Sequence, residues 1–400
     1  MNFELFIAKR LHNSKLDTNH YSGPISNICI FAICISVAVM IITTSAGIGL
    51  QNTIKAKIRL IESDIIISSI VKQESGFILS AETQDIIKSI ENINSTYSVI
   101  KKMAIISHNN NIENIILKGV PSNYKPYILK EHMIDGHAFN KKNEIIISLN
   151  QANNLNLKVS DSCLMYFLSK NNNFQKRKFI ISGIYNTDSE LFNSTYAFID
   201  IKELSNINNW EDGMITNYEI SLSDYSKRNS IVDKLNKNTS YNLITETVEN
   251  KFPALFNWIK LFDKNIIFIL IIMLFICIVN ITNTLLILIM ERLKMIGILK
   301  AIGCSNLSIL KIFLYSSYFI ILKGIVLGNI IGLSICAAQH FLHVITLDAQ
   351  SYFISYIPID FNIKIIIMIS LMTFIITHIT ILIPYVIIRK ITPNKLLNTT

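Results

Sequence analysis

Few side chains in this 400-residue chain stand where they could do chemistry. His340 and His343 lie three residues apart, with Asp348 close behind, a spacing that a metal pair could use. Histidines that merely sit at a water boundary leave the same signature, and that is the plainer reading. His378 falls inside a long apolar stretch, where an ionisable group is by default a functional candidate. A neutral imidazole hydrogen-bonded to a neighbouring helix explains it as simply. Lys323 interrupts another apolar stretch and either snorkels to the interface or faces a cavity. Nothing else reads as a reaction centre. There is no GxxxxGK[ST] loop to cradle a nucleotide, no GxSxG and no HExxH, so neither a catalytic residue nor a metal ligand is assigned. No cofactor is expected on this chain.

The elements around these residues are membrane elements. Half of the chain is apolar and only 16% is Asp, Glu, Lys or Arg, against roughly 25% in an ordinary soluble domain. The formal charge of +9 does not mark a nucleic-acid reader, because the informative Lys and Arg flank apolar runs and do not cluster with aromatics on one face. Four charge-poor stretches are long enough to span a bilayer, which takes about 20 apolar residues. They give transmembrane helices at 25–50, 264–290, 309–342 and 364–388. The first is too long, and too far from the start, for a cleaved signal peptide, and reads as an uncleaved span.

Charge sets the orientation. Lys9, Arg10 and Lys15 precede the first span, and Arg292, Lys294, Lys300 and Lys311 follow the second. Arg389, Lys390 and Lys395 lie in the tail, whereas the 343–363 connection has Asp348 and Asp360 but no Lys or Arg. By the positive-inside rule, both termini and the 291–308 connection are cytoplasmic and residues 51–263 lie outside. Residues 1–24 hold a surface-lying amphipathic elbow, Phe3–Leu11, for which a frayed terminus is the alternative. Residues 389–400 form a cytoplasmic tail.

The outer region of about 210 residues alternates short β-rich runs with polar turns. These runs are Asp64–Ser69, Asn114–Val120, Glu144–Ser148, Lys178–Tyr185 and Tyr196–Asp200. Ser80 is placed to cap a helix whose Ile86, Ile87 and Ile90 share a face. The expected fold is therefore four transmembrane α-helices with a large α+β extracytoplasmic domain between the first and second spans. Cys163 is alone among the six cysteines in that domain, so no disulfide can form within it. Leu255, Phe256, Ile259 and Phe262 make an apolar stripe on a helix at about 246–262, either a stalk continuing into the second span or a packed domain helix.

Two features inside the spans suit helix packing. Gly324, Gly328 and Gly332 form a double GxxxG that lets another backbone come close. Asn280 and Asn283, with Thr282 and Thr284, offer interhelical hydrogen bonds. Both could act within one chain or between two copies.

The cytoplasmic connection Glu291–Gly303 (ERLKMIGILKAIG) begins charged, continues helical and stops at a glycine, with Ser305 ready to cap the next helix. This segment resembles the coupling helix of FtsX/MacB-type ABC transporter permeases. The likeness extends over nearly the whole chain. LFIAKRL resembles the elbow of lipoprotein-releasing permeases of the LolC/LolE kind, and EIIISLNQANNLNLKVSDS and KFIISGIYNTDSELFNSTYAFIDIKEL look like their extracytoplasmic core. PALFNWIKLFDKN resembles their stalk.

The resemblance implies a MacB-like, type VII architecture in the bacterial inner membrane and a permease subunit that is not itself an enzyme. It implies that a separate cytoplasmic LolD-like ATPase dimer, carrying ATP and Mg, grips Glu291, Arg292, Lys294, Gly297, Lys300 and Gly303. It also implies a second permease subunit (a copy or a paralogue), release of an acylated lipoprotein by mechanotransmission, and a LolA-like periplasmic carrier. Where many members have Glu before the Ile-Gly, this chain has Met295, and the carrier-recruiting hairpin near Leu168–Phe179 is short and lacks proline. A MacB-like exporter and an FtsX-like regulator of a cell-wall hydrolase share the layout and remain the alternatives.

Overall fold

The computed structural model describes residues 4–7, 22–70, 76–109, 111–124, 132–168, 174–187, 189–348 and 354–380. The first long helix is α1 (Ser22–Glu62). An outer series follows: β1 (Ile65–Ser69), α2 (Ala81–Lys88), β2 (Ile93–His108), β3 (Asn111–Val120), β4 (Met133–Gly136) and β5 (Glu144–Ser148). It continues with α3 (Leu149–Leu155), β6 (Ser162–Leu168), β7 (Phe174–Tyr185), α4 (Glu190–Thr195), β8 (Tyr196–Asp200) and α5 (Ile201–Asn208). The series ends with β9 (Asn217–Leu222), α6 (Arg228–Asn236), β10 (Leu243–Thr247) and α7 (Val248–Lys251). Then come α8 (Pro253–Glu291), α9 (Leu293–Ala301), α10 (Asn306–Leu342) and α11 (Ile363–Thr380). Two compact units result. One gathers the described parts of 1–51, 259–345 and 357–400, and the other those of 52–258 and 346–356.

Among the described residues, four helices are long and apolar enough to cross a membrane: Ser26–Arg59, Pro253–Glu291, Asn306–Leu342 and Ile363–Thr380. Their shared core joins Ile33, Val37 and Ile41 of α1 to Leu285 of α8, Ile321 of α10 and Ile369 of α11. In lipid, burying apolar area gives helices little reason to associate, so close packing must hold them. The glycine stripe supplies it. A Cβ on Gly324 would stand 2.8 Å from Ile33 Cβ, one on Gly328 2.8 Å from the Cys34 carbonyl oxygen, and one on Gly332 3.1 Å from Ala38 Cα. The backbone that comes close is thus α1 of the same chain.

Part of the polar patch on α8 bonds to its own helix. Thr282 and Thr284 donate to the Ile278 and Asn280 carbonyls of their own helix, at 2.8 and 2.9 Å. Asn280 is half-buried and Asn283 exposed. Between helices, Asn329 of α10 pairs with Ser370 of α11 at 3.0 and 3.1 Å, and Gln51 of α1 donates to Asp263 of α8 at 2.7 Å. Residues 381–388, given to the fourth span on sequence, lie outside the described residues, as do Phe3, Arg10 and the tail. Residues 4–7 are helical.

The outer unit is two sheets sharing one strand. Strands β10-β1-β9-β2 lie side by side, each antiparallel to its neighbour. Their chain order, β1-α2-β2 and later β9-α6-β10, is the split βαβ arrangement. Ile87 of α2, with Ile231 and Leu235 of α6, packs on Ile65, Ile67 and Ile220. Ser80 caps α2 by accepting from Thr83 N at 3.3 Å. The second half of β2 then joins a closed ring, β2-β3-β8-β5-β7-β6 and back to β2. Closure removes strand edges, and the ring is filled by Leu117, Ile147, Phe167, Phe179 and Ile199. The five β-rich runs seen in the sequence are β1, β3, β5, β7 and β8; β2, β4, β6, β9 and β10 are additional. Cys163 is buried and free.

Because a side chain at Gly328 has no room against Cys34 and Val37, Gly328→Leu is expected to destabilise the helix bundle by about 1–3 kcal/mol or more, the usual cost of overpacking. Thermal unfolding of the detergent-solubilised chain measures it, and an unchanged midpoint would contradict the close approach.

Candidate functional site

The connection between α8 and α10 is a compact knob. The helix ends at Glu291 because Arg292 leaves helical geometry at φ −104° and ψ 15°. After nine residues of α9, Gly303 turns the chain at φ +92°, a conformation that glycine adopts without a Cβ penalty. Ser305 then caps α10, its Oγ accepting from Ser308 N at 3.2 Å. Ile289, Ile296, Ile309 and Phe313 are buried together beneath the knob, with Met295, Leu299 and Cys304 against them.

The opposite face of α9 is open. Lys294, Ile298, Ala301, Ile302 and Gly303 are exposed, Ile298 to 55% and Ile302 to 79%, and Leu307 beside them to 61%. Exposed apolar crests are the kind of surface on which partners dock. Among the residues singled out on sequence, Lys294 and Gly303 share this crest. Glu291, Arg292 and Lys300 are half-buried at its margin, and Gly297 is buried on the packing face. Ile298, Ile302 and Leu307 were not singled out, because in an isoleucine-rich helix only packing tells the exposed apolar positions from the buried ones.

A second constellation, unforeseen from the sequence, lies inside the outer unit, where α1 ends. Glu62 and Glu219 face Lys101 and Lys118, and Lys118 and Glu219 are both fully buried. Lys118 Nζ lies 2.7 Å from Glu219 Oε1 and donates to the Tyr124 hydroxyl at 2.7 Å and to the Ile61 carbonyl. The Tyr124 hydroxyl is 2.9 Å from Glu219 Oε2. Glu62 is held at one oxygen by Lys101 and at the other by the Tyr196 hydroxyl. Burial opposes ionisation of Glu62, but the Lys101 and Lys118 ammoniums and these hydrogen bonds outweigh it and hold its carboxyl down at about 2. Burial pushes the Lys118 ammonium below the usual lysine range against the opposing pull of Glu219. Burial and the Glu62 charge push the Tyr196 hydroxyl well up. The sequence signal, a lysine within the apolar run Asn114–Val120, was visible but had no visible partner.

The remaining candidates are dispersed. Glu246 and Thr247 belong to β10, and the long helix starts only at Pro253, after a break at Phe252. On it Phe256 and Ile259 are buried and Leu255 and Phe262 half-buried. His340 packs edge-on to Phe341 and Phe361, and His378 stacks on Phe374 at 5.5 Å. His343 and Asp348 are exposed, as is Lys323. Among the described residues, no three His, Cys, Asp or Glu side chains gather as a metal site would require.

Comparison with known proteins gives this geometry a setting. Residues 267–393 match the FtsX-like permease C-terminal family. They form an FtsX-like permease domain. The chain is 26% identical to LolC, a lipoprotein-releasing system transmembrane protein of Buchnera aphidicola, across 84% of each chain. It is 21% identical to LolE of Haemophilus influenzae, across 83% of this chain and 82% of that one. The periplasmic region of MacB from Actinobacillus actinomycetemcomitans is similar at 13% identity and a TM-score of 0.34, over 51% of this chain and 98% of that one.

Residues 267–393 thus carry an FtsX-like permease domain, and over more than four-fifths of its length the chain is similar to the Lol transmembrane proteins. It is an inner-membrane protein with a large periplasmic domain. The FtsX-like domain takes in the knob and the exits of α10 and α11, whereas the charge cluster lies outside the match. In the outer unit, a groove of about 460 Å³ is lined by Met103, Ile105, Ile116, Tyr166, Leu168 and Phe174. Leu168 and Phe174 border the expected carrier hairpin, whose residues 169–173 lie outside the described residues.

The cluster has a pH signature. Because the folded pKa of Glu62 is about 2, against an ordinary 4.5, its stabilisation is complete above about pH 4.5 and is lost as pH falls towards 2. The gap in thermal midpoint between the wild type and Glu62→Gln, corresponding to on the order of 3 kcal/mol at neutral pH, is expected to close across that window. A gap independent of pH would show that the carboxylate is not held as described.

Proposed function

We propose that this permease releases lipoproteins from the inner membrane, driven by a separate ATPase. The observation that carries the reading is the exposed apolar crest of α9 beside a half-buried charged margin, a surface that fits the groove of a cytoplasmic partner. In this reading a LolD-like ATPase dimer binds ATP and Mg and closes on the bound ATP. It docks Lys294, Ile298, Ile302 and Gly303, with Glu291, Arg292 and Lys300 at the edge. Gly297 contributes by letting α9 sit close on its own bundle. The crest displaces α8 and α10, and the motion travels along the stalk residues Leu255, Phe256, Ile259 and Phe262. A second permease subunit completes the assembly. Acyl chains suit apolar helices, since each buried CH₂ is worth about 0.8 kcal/mol. The lipoprotein then passes to a LolA-like carrier. Similarity to LolC and LolE over more than four-fifths of the chain supports this substrate class.

Depletion followed by membrane fractionation tests the function. Outer-membrane lipoproteins are expected to accumulate in the inner membrane, while normal sorting with failed cell separation would favour a wall-hydrolase regulator instead. The docking face has its own test. Ile298→Asp combined with Ile302→Asp alters exposed side chains only, so folding should change by no more than about 0.5 kcal/mol per site. Co-purification of the ATPase is expected to fall at least tenfold, and undiminished recovery would place the contact elsewhere.

A further inference from the structure

We infer that Glu62 is the residue through which movement of α1 is delivered to the outer unit, a positioning residue for the transport cycle. The inference rests on the reading of the chain as an ATP-driven permease. It starts from the continuity of α1, an unbroken helix of 41 residues from Ser22 to Glu62. A helix normally ends on free carbonyls that water or a glycine turn satisfies, which leaves the end able to pivot. Here three successive residues at the end are each gripped by a different part of the outer unit.

The Ile61 carbonyl accepts from Lys118 of β3 and lies 3.0 Å from the Tyr124 hydroxyl. The Glu62 carboxylate is held between Lys101 of β2 and Tyr196 of β8. Ser63, fixed in the left-handed region at φ +63°, donates through Oγ to Glu219 Oε2 of β9 at 3.1 Å. Strands β3 and β8 belong to the ring, β9 to the open sheet, and β2 to both, so the grip joins the two sheets at the helix end. The Lys118 ammonium at this end also opposes the negative pole of the helix.

One turn earlier, a second contact extends the grip to the strand that returns to the membrane. Arg59 pairs with Asp64 and covers the Tyr225 ring at 4.1 Å. Arg228 covers the same ring at 4.3 Å and pairs with Glu249 of α7 at 3.2 Å. The Asp64 carbonyl accepts from Val248 N at 3.0 Å, and Ile65 lies opposite Thr247 in the sheet. The end of α1 and the lead-in to α8 are thereby fastened to the same few residues. Neither sliding nor rotating α1 can spare these contacts unless the outer unit follows.

Hydrogen exchange of the whole chain in nanodiscs with its ATPase provides the test, with ATP and vanadate as the trigger. In the wild type, exchange should change both at the knob, 291–305, and in β1, β2 and β9. Glu62→Gln keeps an acceptor for Tyr196 but removes the charge, and Lys101→Gln is the milder companion if the first variant folds poorly. Both should retain the knob response and ATP hydrolysis within twofold. The outer-unit response and the substrate moved per ATP should fall at least fivefold. Variants that melt at lower temperature but transmit fully would show a merely structural cluster and overturn the inference. A wild type with no nucleotide response at the knob would overturn the permease reading on which it rests.

Discussion

A charge buried without a partner costs so much that a protein either neutralises it or builds structure around it. This chain builds around four, and its outer unit depends on them. Lys118 and Glu219 are fully enclosed, Glu62 nearly so, and Lys101 closes the set from the side. The set requires β2, β3, β8 and β9 to meet at one point, together with the last turn of α1. Two sheets with separate apolar cores are therefore joined through a polar junction. An apolar junction would pack as well, but it would accept several registers. Paired carboxylates and ammoniums with two tyrosine hydroxyls accept very few.

The membrane unit has a different controlling constraint, that of closeness. Apolar side chains gain little by leaving lipid for one another, so α10 and α1 meet where three glycines remove the side chains altogether. The Asn329–Ser370 pair then fixes α11 against α10. What remains unpacked by the chain itself is informative. The crest on α9 lies between two long helices and on top of its own small core, so a force applied there has few soft parts to deform. Within the membrane unit the crest of α9 is left open, and within the outer unit the end of α1 is locked by charge.

Much of this was legible from residues alone. The absence of charge between Asp17 and Lys55, and between Lys264 and Glu291, dictates spanning helices whatever surrounds them. Gly303 followed by Ser305 marks a turn and a cap, and the short Ile-rich runs mark strands. Local rules sufficed because each of these depends on neighbours in the chain. Strands β2, β9 and β10 escaped notice because their polar residues, such as Lys101 and Glu219, satisfy themselves across the sheet. A reader of sequence sees them only as interruptions.

The sequence by itself determined the number of apolar helices, their polarity across the membrane, the α+β character of the outer region and the position of the knob. These follow from solvation and from backbone geometry within a few residues. Only the tertiary structure decided that the glycine stripe meets α1 of the same chain, that Asn329 and Ser370 tie α10 to α11, and that the apolar crest of α9 is Ile298 and Ile302. It alone brought Glu62, Lys101, Lys118 and Glu219 together. Each of these is a contact between residues far apart in the chain, and periodicity shows that a position has a face without showing what that face will meet.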